Sequence, residues 1–128
     1  MKNFFTKLLA ITVLFAGVWG CKNKTTEIDQ SFSKYIAGYT SGQLSTKGVI
    51  QIELAQDQPQ VALQAEVDEK LFTLSPSAKG KTYWKSSRMI EFCPNEPLKE
   101  NTHYTVNFNL GKLLPDVDKK NQTFTFDF

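Results

Sequence analysis

From Gly48 onward the chain carries short runs in which apolar and polar residues alternate, the spacing that turns one face of an extended backbone toward a core and the other toward water. In GVIQIELA, Ile50, Ile52 and Leu54 share one face while Gln51 and Glu53 share the other. Leu71 to Leu74 reads as a short strand closed by Ser75-Pro76. Lys81 to Lys85 and Arg88 to Cys93, separated by Ser86-Ser87, predict a hairpin with Ile90 and Phe92 directed inward. His103 to Leu110 puts Tyr104, Val106, Phe108 and Leu110 on one face, and Gln122 to Phe128 does the same with Phe124, Phe126 and Phe128.

Two segments are ambiguous in period. Val61 to Val67 fits a helical turn or a strand, and is read as a strand. In Phe32 to Tyr39, the positions of Phe32, Tyr35, Ile36 and Tyr39 suit a helix, while Gly38 and the β-formers around it favour an extended chain. Tyr35 to Thr40 is therefore taken as a strand, and a helix is expected nowhere else. About seven short strands, spaced by turns rich in Gly, Pro, Ser and Asn, predict an all-β fold, a single antiparallel β-sandwich. Its expected core comprises Ile52, Leu54, Ile90, Phe92, Leu98, Tyr104, Val106, Phe108, Phe124 and Phe126.

The amino terminus has a different pattern. Lys2 and Lys7 precede an uncharged apolar run, Leu8 to Trp19, that is well short of the roughly 20 residues a membrane span requires. It reads as the apolar region of an export signal. Val18-Trp19-Gly20-Cys21 follows and resembles the bacterial lipobox, with a branched residue three before the cysteine and a small one directly before it. Trp19 departs from that pattern, because a small residue is usual there. The resemblance implies that residues 1–20 are a lipoprotein signal peptide and that Cys21 becomes the new amino terminus, carrying diacylglycerol on its thiol and fatty acid such as palmitate. An unmodified cysteine after ordinary signal cleavage is the alternative. Residues 21–31 are then a lipidated polar tether, and 32–128 the sandwich domain. Lys22 to Gln30 would reach about 30 Å when extended. No acidic block follows Cys21, which favours the periplasmic face of the outer membrane over surface display.

The chain's 128 residues leave room for one domain, and its 15 Lys plus Arg stand against 13 Asp plus Glu. Loss of Lys2 and Lys7 with the leader leaves 13 of each sign and no like-charged run, so the basic footprint of a nucleic-acid binder or of a polybasic membrane binder is missing. With Cys21 lipidated, Cys93 has no partner in the chain and reads as a small hydrophobe at a strand end; a reactive or intermolecular thiol is the other reading. The single histidine, His103, speaks against multi-His metal sites and is expected at an exposed edge.

Asp116, Asp118 and Asn121 resemble part of a calcium loop, but Lys120 takes a ligand position and Asn121 the turn glycine's, so a polar turn is expected. Glu66, Asp68 and Glu69 read as a solvated loop. Lys79, Lys81, Lys85 and Arg88 surround Tyr83 and Trp84, yet Glu91 and Glu96 offset them. No catalytic constellation, metal or cofactor is implied. Tyr83 and Trp84 are singled out as an exposed aromatic contact.

From Ser75 to Phe128 the residues follow a recognisable order: Pro76, Gly80 and Trp84; then Ile90, Phe92, Pro94, Pro97, Leu98, Thr102, Tyr104 and Val106; then Phe124 and Phe126. This order resembles a bacterial Ig-like module. Together with the lipobox, the tether and the opening YTSGQLSTKGVIQIELAQD, the chain resembles the amino-terminal macroglobulin-type domain of bacterial alpha-2-macroglobulin lipoproteins. That family implies protease trapping through a bait region and a Cys-x-x-Gln thioester, but Cys93-Pro94-Asn95-Glu96 lacks the glutamine, so trapping is not expected of this chain. Because Phe128 ends the chain within its last strand, a truncated product or fragment is expected. The preferred reading is a non-enzymatic, lipid-anchored structural or interaction module. Its expected partners are the membrane, through Cys21, and other Ig-like or macroglobulin domains or another periplasmic protein, with no nucleic acid and no small-molecule substrate. The alternative is a self-standing binding lipoprotein, adhesin-like or carbohydrate-contacting.

Overall fold

A computed structural model describes residues 26–67 and 69–128, so the leader, Cys21 and Asp68 lie outside the described residues. Seven strands form: β1 (Ile36–Tyr39), β2 (Ile50–Leu54), β3 (Phe72–Ser75), β4 (Gly80–Trp84), β5 (Met89–Pro94), β6 (Thr105–Phe108) and β7 (Phe124–Asp127). One sheet has the order β1-β2-β5-β4 and the other β3-β6-β7, with every pairing antiparallel. Lettered A to G in chain order, this is A-B-E-D over C-F-G, the arrangement of a constant-type immunoglobulin sandwich. The all-β sandwich expected from the alternation is the fold observed.

The spacing of the motif residues is the register of one hairpin. Gly80 pairs with Pro94, Thr82 with Phe92, and Trp84 with Ile90. Gly80 is required by a close approach, because a Cβ there would lie 2.4 Å from the Cys93 carbonyl oxygen and 2.5 Å from Cζ of Phe92. Just beyond the same end of β5, the Leu98 N–H donates to the Thr46 carbonyl (2.7 Å) and its side chain is buried. Tyr104, directly before β6, has its ring buried and its hydroxyl 3.0 Å from the Lys99 N–H that donates to it. This is the tyrosine corner of immunoglobulin-type sandwiches.

All ten residues expected in the core are buried, and Ile36, Ile50, Leu71, Phe72, Leu74, Trp84 and Leu110 join them. The facing sheets meet through aromatic rings, Phe72 with Phe92 at 5.5 Å and Tyr39 with Phe124 at 5.1 Å between centroids.

Three local expectations are corrected. Val61 to Val67 does not form a strand. Gln60 and Gln64 take left-handed backbone conformations (φ 69 and 61) that break the extended ladder, leaving one isolated bridge, Glu66 to Tyr83. The segment still covers part of β4's outer edge, with the Gln64 N–H bonded to the Trp84 carbonyl (2.7 Å) and the Val67 N–H to that of Thr82 (2.8 Å). Between Phe32 and Tyr39 both periods are realised in turn: a 3-10 helix over Gln30–Lys34, N-capped by the Asp29 carboxylate on the Ser31 N–H (2.8 Å), and then β1. The run His103 to Leu110 is strand only to Phe108. A one-turn helix, Leu110–Leu113, follows, and Leu110 remains fully buried inside it.

The polar stretch before the sandwich is held against it from Thr26 onward. The Thr26 N–H donates to Oδ2 of Asp127 (2.8 Å), as does its hydroxyl. Ile28 and Phe32 pack on the core, Phe32 with its ring 5.0 Å from that of Phe124. Residues 26–32 thus form a strap running along β7, from Asp127 at its end to Phe124 at its start.

Candidate functional site

The hairpin of β4 and β5 decides the fate of the aromatic pair. With Lys81 and Lys85 on the solvent side, period two sends Thr82 and Trp84 inward. Trp84 is only 9% exposed and belongs to the core, whereas Tyr83 is half-buried on the outer face beside Glu91. Trp84 is therefore not part of an exposed aromatic contact. The sequence held the signal: Tyr83 and the two lysines occupy alternate positions of one face. Of the basic residues around it, Lys81 pairs with Glu66 (3.0 Å) and Arg88 with Glu53 (3.3 Å), while Arg88 Nε donates to the Leu54 carbonyl (3.0 Å). Lys81 and Arg88 are thus each matched by a carboxylate along the sheet.

Cys93 is half-buried near the end of β5, and burial, with Glu91 nearby, pushes its thiol above the usual range. A thiol held protonated is a poor nucleophile. Asp116, Asp118 and Asn121 diverge: Asp118 pairs with Lys34 at 2.5 Å, whereas Asn121 is buried and donates from Nδ2 to Oγ of Ser31 (2.7 Å). Among the described residues, no three His, Cys, Asp or Glu side chains are grouped so as to hold a metal ion. Glu66 and Glu69 are exposed.

The sandwich has two chemically distinct poles. At one, the end of β2 and the loop after the Leu110–Leu113 helix enclose a cleft of about 450 Å³. Tyr35, Gln56, Gln58 and Asp116 line it over the apolar floor of Leu54 and Leu114. Lys34 lies over the Tyr35 ring (4.8 Å to its centroid), and the Tyr35 hydroxyl accepts from the Asp118 N–H (3.1 Å), so one face and the polar tip of that ring are already engaged.

The opposite pole brings together the Gly42–Thr46 loop, the Leu98–Tyr104 corner and Phe128 around a wider depression of about 570 Å³. Asp127 stands at its margin with its side chain only 6% exposed. Oδ2 receives both Thr26 donors, whereas Oδ1 is buried without a hydrogen-bond partner among the described residues and lies 3.5 Å from Nε2 of His103. Burial alone would raise the pKa of this carboxyl. Its contacts with the Thr26 and Thr105 hydroxyls, the Thr26 N–H and His103 outweigh that, and hold it below the usual carboxylate range. Sequence reading could place His103 at an edge but gave no sign of Asp127, because its partner Thr26 lies 101 positions away.

The two poles offer a cleft and a wider depression at the surface of the sandwich. A family model for the bacterial Ig-like domain matches residues 20–128. No curated protein and no solved structure matches the chain. The matched span takes in both sheets, the cross-paired hairpin and the tyrosine corner, and with fold and family in agreement the chain belongs to the bacterial Ig-like domain family.

Proposed function

We propose that the protein is a non-enzymatic structural or interaction module of the bacterial cell envelope, lipid-anchored through Cys21 to the periplasmic face of the outer membrane. The carrying observation is the Ig-like family match over residues 20–128, since such sandwiches commonly space or dock other domains. The apolar run Leu8 to Trp19 with Gly20-Cys21 behind it supports the anchor. As the finer form of this proposal, the module resembles the first domain of alpha-2-macroglobulin lipoproteins, with other Ig-like domains or a periplasmic protein as its partner. Only the motif order and the lipobox support that likeness.

Labelling cells with a fatty-acid analogue should mark the protein, and Cys21→Ala should abolish the mark and release the protein from membranes. Label retained by Cys21→Ala would refute lipidation at this residue.

A self-standing binding lipoprotein is the second reading, and the cleft beside Tyr35 favours it over the β4–β5 hairpin. A tyrosine ring with two glutamine amides and a carboxylate suits a saccharide. Titration with chitin oligosaccharides should then move the resonances of Tyr35, Gln56 and Gln58. Unmoved resonances at millimolar ligand would count against that reading.

A further inference from the structure

We infer that Asp127 is a latch that clasps the N-terminal strap to β7 and thereby makes the pole around Phe128 the bilayer-facing surface of the protein; this rests on the lipid anchor proposed at Cys21. Three observations carry it. The first is the clasp. Both Thr26 donors converge on Oδ2 of Asp127, a carboxylate 94% buried in its side chain by the complement of its 6% exposure. A buried carboxylate that accepts two hydrogen bonds from one residue fixes where that residue sits, because losing them would leave the charge unpaired in a desolvated place. The strap then continues through Ile28 and Phe32 on the core and Ser31 on Asn121, so Thr26, the first of the described residues, belongs to a fastened segment.

The second observation is length. Between Cys21 and Thr26 there are five residue steps, which reach at most about 17 Å, whereas a polar segment free as far as Gln30 would allow about 30 Å. The clasp therefore roughly halves the stand-off of the domain.

The third is where the clasp lies. Asp127 pairs in register with Thr105 at the start of β6, and Tyr104 and Phe128 exchange backbone hydrogen bonds beside it (3.0 and 3.1 Å). Thr26 consequently leaves the domain at the pole formed by Gly42–Thr46, the tyrosine corner and Phe128, while the Tyr35 cleft lies at the far end of β2. Lys47 and Lys99 at this pole are matched by Glu96 and Glu100, so charge supplies little attraction to an anionic surface. Orientation comes from the short leash. The lipid surface is the partner of this pole, and the cleft pole is turned toward the periplasm.

The test uses the full lipidated chain in phosphatidylethanolamine–phosphatidylglycerol vesicles carrying a nitroxide-labelled lipid, with acylation of Cys21 read by mass spectrometry. In a Cys93→Ser background, a fluorophore is placed at Gln43→Cys on the near pole or Gln56→Cys on the far one. Quenching should be several-fold stronger at position 43. Asp127→Ala should bring the two positions toward parity, and so should a ten-residue Gly-Ser insertion before Thr26, a variant that leaves every core contact in place. Equal quenching at the two positions in a chain acylated at Cys21 would overturn the orientation alone. Unchanged disparity in both variants would overturn the role of the latch. A chain with no lipid on Cys21 would overturn the anchored reading itself, and the mass spectrum separates that result from the others.

Discussion

Tyr104 joins two kinds of interaction that pull in the same direction. Its ring is buried and stacks on Phe128 (5.4 Å between centroids, 15° between planes), and its hydroxyl closes the loop from Leu98 by accepting the Lys99 N–H. Tyr104→Phe keeps the ring and removes only the acceptor, so it should cost about 1 kcal/mol in urea denaturation. Tyr104→Ala removes both and should cost about 3–5 kcal/mol. Equal midpoints for the two variants would mean that the hydroxyl, not the ring, dominates the corner. At Asp127 the sign of the pH dependence follows from its lowered folded value. Its contribution to stability is fully present above the ordinary carboxylate value of 3.8 and is lost as pH falls through the lower folded one. His103 is the titratable group found facing it. The Thr26 amide resonance should therefore titrate with Asp127 at a midpoint below 3.8. A midpoint at or above 3.8 would show that the clasp does not form in solution.

Elements in this chain are stabilised by partners of very different sequence separation, and their legibility follows. The β4–β5 hairpin joins strands adjacent in sequence, so its inward Ile90 and Phe92 could be read from alternation. A two-residue Ser86-Ser87 turn would pair Gly80 with Cys93, however, and the observed pairing with Pro94 comes from a loop one residue longer, in which the Lys85 N–H donates to the Met89 carbonyl. Trp84 obeys the same alternation, and the prominence of an aromatic pair is no substitute for asking which face the flanking lysines occupy. Val61 to Val67 had apolar residues enough for a strand. Its backbone instead turns left-handed at Gln60 and Gln64, glutamines being residues whose side chains announce no such turn. The strap and β7 allow a comparison between elements. Phe108 and Phe124 are both essentially fully buried, but Phe108 packs on Phe72 while Phe124 meets Phe32 of the strap. Alanine at either position should cost about 3–5 kcal/mol by denaturant unfolding. Only Phe124→Ala should also speed hydrogen exchange along residues 26–32, and equal exchange in both variants would separate the strap from β7.

Over the whole molecule, local alternation determined the strands other than the one expected at Val61 to Val67, their inward faces and nine of the ten expected core residues, Leu98 being a turn plug, because burying one face of an extended chain leaves a mark every second residue. The order of motif residues likewise carried the Ig-like fold and family, since that order is the pairing register and corner of the sandwich written along one chain. What only the tertiary structure decided are the contacts that no local pattern encodes. These include the assignment of β3 to a sheet with β6 and β7, the ion pair between Lys34 and Asp118, and the clasp of Thr26 by Asp127 across 101 positions. A polar residue reads the same in sequence whether it is solvated in a tether or fastened to a buried carboxylate. Thr26 became a fixed point beside Phe128 only when the two sheets had closed and brought Asp127 within reach.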